Sequence, residues 1–246
     1  MLSFRMTTFL LSKDGEPQYR CEDAVATDQR GLRFAIADGA TEGFDSKRWA
    51  RYITKAWISP STARLATPVL PERLRLLGDR QSERWVGRQL PWYVEEKSRD
   101  GAFAAFLGLD LRQAPTWTAI AIGDCCLFIE RKKSLIESFP LSSPEQFGTR
   151  PTLVPSMVLR YPDYIDALQK HSGCLRLGDR LLLMSDAIAC WYLKCWLEEH
   201  TVKNNFADAV TSHDTKILKE IIASERNSKE LRNDDVAIIC LEITSI

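Results

Sequence analysis

Several things are scarce in this sequence. No apolar run approaches the roughly 20 residues needed to cross a bilayer. The first twelve residues offer only Phe9-Leu10-Leu11, with no small-residue cleavage site after it. Neither a membrane span nor a secretion signal is expected. Charge of one sign is not in excess: 33 Lys and Arg balance 33 Asp and Glu. That balance leaves no basic footprint for nucleic acid or for an anionic membrane. The cysteines are seven, an odd number, without a Cys-x-x-Cys pair and with Cys125 next to Cys126. Reduced thiols in a cytoplasm fit that usage better than a disulfide framework, so a cytoplasmic protein is expected. Gly15, Gly31, Gly39 and Gly43 do not have the spacing of a nucleotide-binding loop.

What is present suits one folded unit. At 246 residues, 45% of them hydrophobic and 27% charged, the chain is long enough to bury a real core. We find no repeat and no low-complexity linker, and a single domain over residues 1–246 is expected. Strand character runs through Ser3 to Ser12, Arg20 to Thr27 and Leu32 to Ala37, the last ending at Asp38-Gly39. Ser46 is a plausible N-cap for a helix carrying Trp49, Tyr52, Ile53, Ala56 and Trp57 at helical spacing. Prolines at 60, 68, 71 and 91 then break the chain around a charged, helix-prone stretch from Glu72 to Gln89. Strand signals return in Gly101 to Leu111, Thr116 to Ile122, Cys125 to Glu130, Ser134 to Phe139 and Arg180 to Met184, with Leu141 to Pro155 reading as a loop. Ile188 to Glu199 and Phe206 to Ser224 read as helices, and Val236 to Ile243 as a closing strand. This order does not alternate strand and helix. It favours an α+β sandwich of mostly antiparallel sheets.

Most reactive side chains have plain settings. His171-Ser172-Gly173-Cys174 is half of a zinc pattern without a second half, and His200 and His213 sit in charged helical surroundings. Cys190 and Cys195 lie on a Trp-rich helix, and no cysteine has the phosphate-cradling loop and following Arg of a thiol phosphatase. The aspartates are more telling. Asp38, Asp124 and Asp186 each end an apolar run, Asp234-Asp235 opens the last one, and Glu22-Asp23 falls within an early one. Singly, Asp at a strand end is a turn residue. Together on one rim, such carboxylates would repel each other, and hard divalent cations relieve that repulsion.

The order Cys21-Glu22-Asp23-Ala24, Ala37-Asp38-Gly39-Ala40, Ile122-Gly123-Asp124, Leu183-Met184-Ser185-Asp186 and Asn233-Asp234-Asp235-Val236 resembles the metal-dependent serine/threonine protein phosphatases, the protein phosphatase 2C or PPM family, in their bacterial-type form. The resemblance implies a four-layer α-β-β-α sandwich with two central antiparallel sheets. It implies two Mg²⁺ or Mn²⁺ ions with a third held more loosely. Asp38 would bridge the two ions with the Gly39 carbonyl beside it, Asp186 and Asp234 would complete one shell, and Glu22 would lie toward the other. Asp124 would hold the third ion and Asp23 would orient water. The family's phosphate-binding Arg usually stands four residues before the Glu, where this chain has Gln18. Arg20, two before it, would share a strand face with Glu22 and is the candidate replacement. The family's His after Asp-Gly is Ala40 here, and the Gly that often follows the later Asp is Ala187. The activity implied is hydrolysis of phosphoserine or phosphothreonine on a phosphorylated protein substrate. The alternatives are a phosphatase-like binding or sensor module, or a small-molecule phosphomonoesterase.

Overall fold

The computed structural model describes residues 2–59, 70–89, 91–148 and 150–246. Two antiparallel sheets face each other. One has the order β1-β11-β10-β6-β7, formed by β1 (Ser3–Leu11), β6 (Cys126–Arg131), β7 (Ser134–Phe139), β10 (Arg180–Met184) and β11 (Val236–Ser245). The other has the order β2-β3-β4-β5-β9, formed by β2 (Ala24–Asp28), β3 (Arg33–Gly39), β4 (Phe103–Asp110), β5 (Thr116–Ile122) and β9 (Gln169–Cys174), with the short β8 (Val154–Pro155) paired to β4. Six helices are described. α1 (Ser46–Ile58), α2 (Leu70–Glu83) and α3 (Trp92–Asp100) come before β4, whereas α4 (Asp186–Leu197), α5 (Val202–Thr211) and α6 (Thr215–Asn227) come between β10 and β11.

Alternation along the strands builds the layers. In β11, Ala237, Ile239, Leu241 and Ile243 join the core between the sheets, while Val236, Ile238 and Cys240 pack with Trp191, Tyr192 and Phe206 of α4 and α5. A strand covered on both faces reads as an unbroken apolar run, as β6, β10 and β11 do. In β3, Phe34 and Ile36 face the shared core while Ala35 and Ala37 meet Trp49, Ile53 and Trp57 of α1. The indole N–H groups of Trp49 and Trp57 donate to the Val154 and Leu109 carbonyls at 2.8 and 3.3 Å. This is the α-β-β-α sandwich, and no described helix is long and apolar enough to cross a membrane.

Some local expectations change. Asp45, at φ 59°, precedes α1, and Ser46 is its buried first residue rather than its cap. The expected helix from Phe206 to Ser224 is two helices. His213 at φ 59° turns the chain, and Asp214 caps α6 by accepting from the N–H groups of Lys216 and Ile217. β9 has no apolar alternation and lies at a sheet edge, where His171 meets Glu137 of β7 at 3.2 Å. Glu22-Asp23 stands just before β2 rather than within it, and residues Gln18–Arg20 form a 3₁₀ turn, so the shared strand face expected for Gln18, Arg20 and Glu22 does not form. Helix α2 stops at Glu83, short of Gln89. The prolines at 60 and 68 lie outside the described residues.

Candidate active site

Strand ends carry the acidic residues to one rim. Antiparallel pairing places the start of β2 beside the end of β3, since Ala24 pairs with Ala37. It likewise places the end of β10 beside the start of β6 and of β11, since Met184 pairs with Cys126 and with Ile238. Asp38 and Gly39 finish β3, Asp124 lies in the β5–β6 turn, Asp186 opens α4 directly after β10, and Asp234-Asp235 leads into β11. Glu22, Asp38, Gly39, Asp124, Asp186, Asp234 and Asp235 line one cleft of about 340 Å³, with Ala40, Thr41, Glu42 and Arg232 among the other lining residues.

Two glycines make the approach possible. A Cβ on Gly39 would come within 2.8 Å of the Ser46 backbone, so the strand end is pressed against the start of α1. Gly123 has φ +94°, the left-handed region that favours glycine, and its turn delivers Asp124 to the rim.

Protein donors hold part of this array. Asp235 accepts from the Glu22 N–H at 2.6 Å and from the Lys13 N–H at 2.8 Å, which ties the segment before β2 to the loop before β11. Thr41 Oγ1 donates to Glu22 at 2.6 Å. The buried Arg226 donates to Asp14 at 2.7 Å and to the Asp234 carbonyl at 2.5 Å. Ser185 Oγ accepts from the Ala237 N–H at 2.9 Å, joining β10 to β11 beneath the cleft.

Asp23 is the exception. It is 1% exposed, and neither of its carboxylate oxygens has a donor in hydrogen-bonding geometry, although the Ser185 side chain lies beside it. A buried carboxylate without a partner is costly. Burial first, and then Asp186 and Asp235, raise its pKa well above the ordinary carboxylate range. Burial and the nearness of Asp23, Asp186, Asp124 and Asp234 do the same to Asp38. Asp124 is pushed up to about 7 by burial and then by Asp186, with Arg232 pulling the other way. Burial also raises Glu22 against the pull of Thr41. These are carboxylates short of positive charge, and an all-oxygen donor set of this kind suits Mg²⁺ or Mn²⁺.

Arg232, on which the sequence reading was silent, supplies part of that charge. One nitrogen, Nη2, donates to Asp186 Oδ2 and lies 3.1 Å from Asp234 Oδ2. In the present rotamers no three acidic, His or Cys side chains among the described residues converge closely enough to grip an ion. Arg20 is elsewhere. Its exposed side chain pairs with Glu16 at 3.0 Å and does not line the cleft. Gln18, at the family's arginine position, bonds the Ser12 N–H and the Leu10 carbonyl and secures the end of β1.

No known family's sequence pattern matches this chain, and no curated protein matches it. Solved structures do. The catalytic domain of the serine/threonine protein phosphatase PstP, in complex with two manganese ions, superposes with a TM-score of 0.59 at 14% identity, covering 100% of each chain. The fold is that of the PPM-type phosphatases. RsbX in complex with magnesium superposes at TM-score 0.53 and 14% identity over 99% of this chain and 100% of its own. The PPM Ser-Thr phosphatase MsPP from Mycobacterium smegmatis, in complex with cacodylate, does so at 0.55 and 14% over 96% and 97%. At such identities the likeness is one of PPM fold alone.

Proposed function

We propose that the protein is a metal-dependent phosphatase acting on phosphoserine and phosphothreonine of proteins. The observation that carries this reading is the gathering of Glu22, Asp38, Asp124, Asp186 and Asp234 in one cleft at a rim of a PPM fold, with the buried, unpartnered Asp23 carboxylate close enough to raise the pKa of Asp38. Asp38, Asp186 and Asp234, with the Gly39 carbonyl and Glu22, would hold two Mg²⁺ or Mn²⁺ ions, and Asp124 with Asp186 a looser third. When bound, such ions lower the pKa of water toward neutrality and offset phosphoryl charge.

The chain's own residues do the rest. Asp23, buried beside Ser185 and close enough to Asp38 to raise its pKa, would orient the attacking water. Asp235 and Arg226 keep Glu22 and Asp234 from drifting, because both pull on backbone atoms rather than on the reactive carboxylates. A covalent thiol route has no support. Burial raises the thiols of Cys21, Cys125, Cys126 and Cys190, and pushes Cys195 and Cys240 up to about 12. All seven cysteines are free, in keeping with a reducing, cytoplasmic setting.

The test is hydrolysis of p-nitrophenyl phosphate and of a phosphothreonine peptide with Mn²⁺, then with EDTA. Turnover that EDTA abolishes and Mn²⁺ restores supports the reading. Turnover of the small ester alone would redirect it to a small-molecule phosphomonoesterase. One observation favours a phosphatase-like binding module: Arg20 is engaged with Glu16 away from the cleft. Mn²⁺ binding without turnover of either substrate would decide for that module.

A further inference from the structure

Arg232 is the one Lys or Arg among the described residues lining the acidic cleft, and the atoms it uses are the ones an ion needs. Asp186 Oδ1 accepts from the Ala187 N–H and Asp234 Oδ1 accepts from the Asp235 N–H. The Oδ2 atom of each is left, and both meet the same Arg232 nitrogen. A divalent ion held by Asp186 and Asp234 would therefore compete with this guanidinium for the same two oxygens. Once displaced, the guanidinium would face a cation and be driven off the pair. It has somewhere to go. Its side chain is 56% exposed, and it borders a second groove, of about 120 Å³, lined by Phe147, Ala187, Trp191 and the paired Lys194 and Glu230. It would then stand at the mouth of the cleft with a planar fork of donors suited to phosphate oxygens.

Resting on the phosphatase reading above, we propose that Arg232 is a transfer arm. It neutralises Asp186 and Asp234 in the ion-free protein, gives them up when a divalent ion binds, and then holds the non-reacting oxygens of the substrate phosphate. One residue thereby makes phosphate affinity depend on metal loading. Arg20, by contrast, pairs with Glu16 outside the cleft.

Calorimetric titration of the full chain tests both halves, using Mn²⁺ and inorganic phosphate as probes. EDTA-stripped Arg232→Ala should bind Mn²⁺ about fivefold or more tightly than wild type, the upper range for losing an exposed ion pair. With Mn²⁺ loaded, the same variant should bind phosphate about tenfold or more weakly, the loss of one charge-assisted contact. Arg232→Lys keeps the charge without the fork. It should leave Mn²⁺ affinity near wild type while still weakening phosphate, and it carries the test if the Ala variant does not fold. Equal Mn²⁺ affinity in wild type and Arg232→Ala overturns the counter-ion half. Unchanged phosphate affinity in either variant overturns the capture half. A wild-type protein that binds no Mn²⁺ would instead remove the phosphatase reading, and this inference with it.

Discussion

Asp38 sits in a crowd of like charge, with Asp23, Asp186, Asp124 and Asp234 all acting to raise its pKa. If it bridges two ions, Asp38→Asn should lose most turnover in Mn²⁺ while the protein stays folded, because the site is at a rim and the core lies between the layers. In EDTA the same change removes one of several repelling charges, so the melting temperature should hold or rise. Near-wild-type turnover in metal-replete Asp38→Asn would argue for a turn residue and against an ion bridge. The rim was legible at this scale because each Asp follows or precedes an apolar run, which is a local pattern. What was not legible was which cation answers them. Arg20 is near Glu22 in sequence, yet the 3₁₀ turn at Gln18–Arg20 sends it to Glu16, while Arg232 reaches Asp186 across 46 positions of chain.

At the scale of elements, helix endings decided where periodicity misled. The residues from Phe206 to Ile222 keep an apolar stripe across the break between α5 and α6: Phe206, Val210, Leu218 and Ile222 are all buried. A stripe of that kind reads as one helix although the chain turns at His213. Asp214 then caps α6 with bonds of 3.1 and 3.0 Å to Lys216 and Ile217. Asp214→Ala should therefore cost about 1 kcal/mol of stability, the usual loss for an N-cap, measured by urea unfolding at constant slope. Activity per folded molecule should be unchanged, since Asp214 caps the start of α6, at the opposite end from Arg226, which holds the Asp234 carbonyl. The edge strand β9 escaped for the opposite reason. Its residues Gln169 to Cys174 carry no apolar alternation, and backbone pairing to β5 makes it a strand without help from its side chains.

For the whole molecule, the acidic rim links stability to pH and to metal. Asp124 has its pKa raised from 3.8 to about 7 in the folded chain, and Asp23 and Asp38 move in the same direction. A raised carboxyl pKa means that the native state binds more protons than the unfolded state between those values. Stability is then greatest at low pH on this account and declines as pH rises from about 4 to about 7. In EDTA the melting temperature should fall across that window, and Asp124→Asn should flatten part of the slope. Mn²⁺ added above pH 7 should recover the loss, because the ion replaces the protons as the source of positive charge. A flat profile in EDTA would contradict the crowding described for the rim.

The sequence alone determined which runs become the central strands and that an acidic residue stands at the end of each. Apolar runs and turn chemistry act over a few residues, and two covered faces make β6, β10 and β11 continuous in hydrophobicity. Tertiary structure alone decided the fate of the charges. Asp23, just before β2, is buried beside Ser185 with no donor in hydrogen-bonding geometry on either carboxylate oxygen. Asp235 binds the Glu22 and Lys13 backbone, and Arg232 joins the acidic set by way of Asp186. Ion pairing between residues far apart in sequence depends on the distances set by packing the two sheets, and no local pattern encodes those distances.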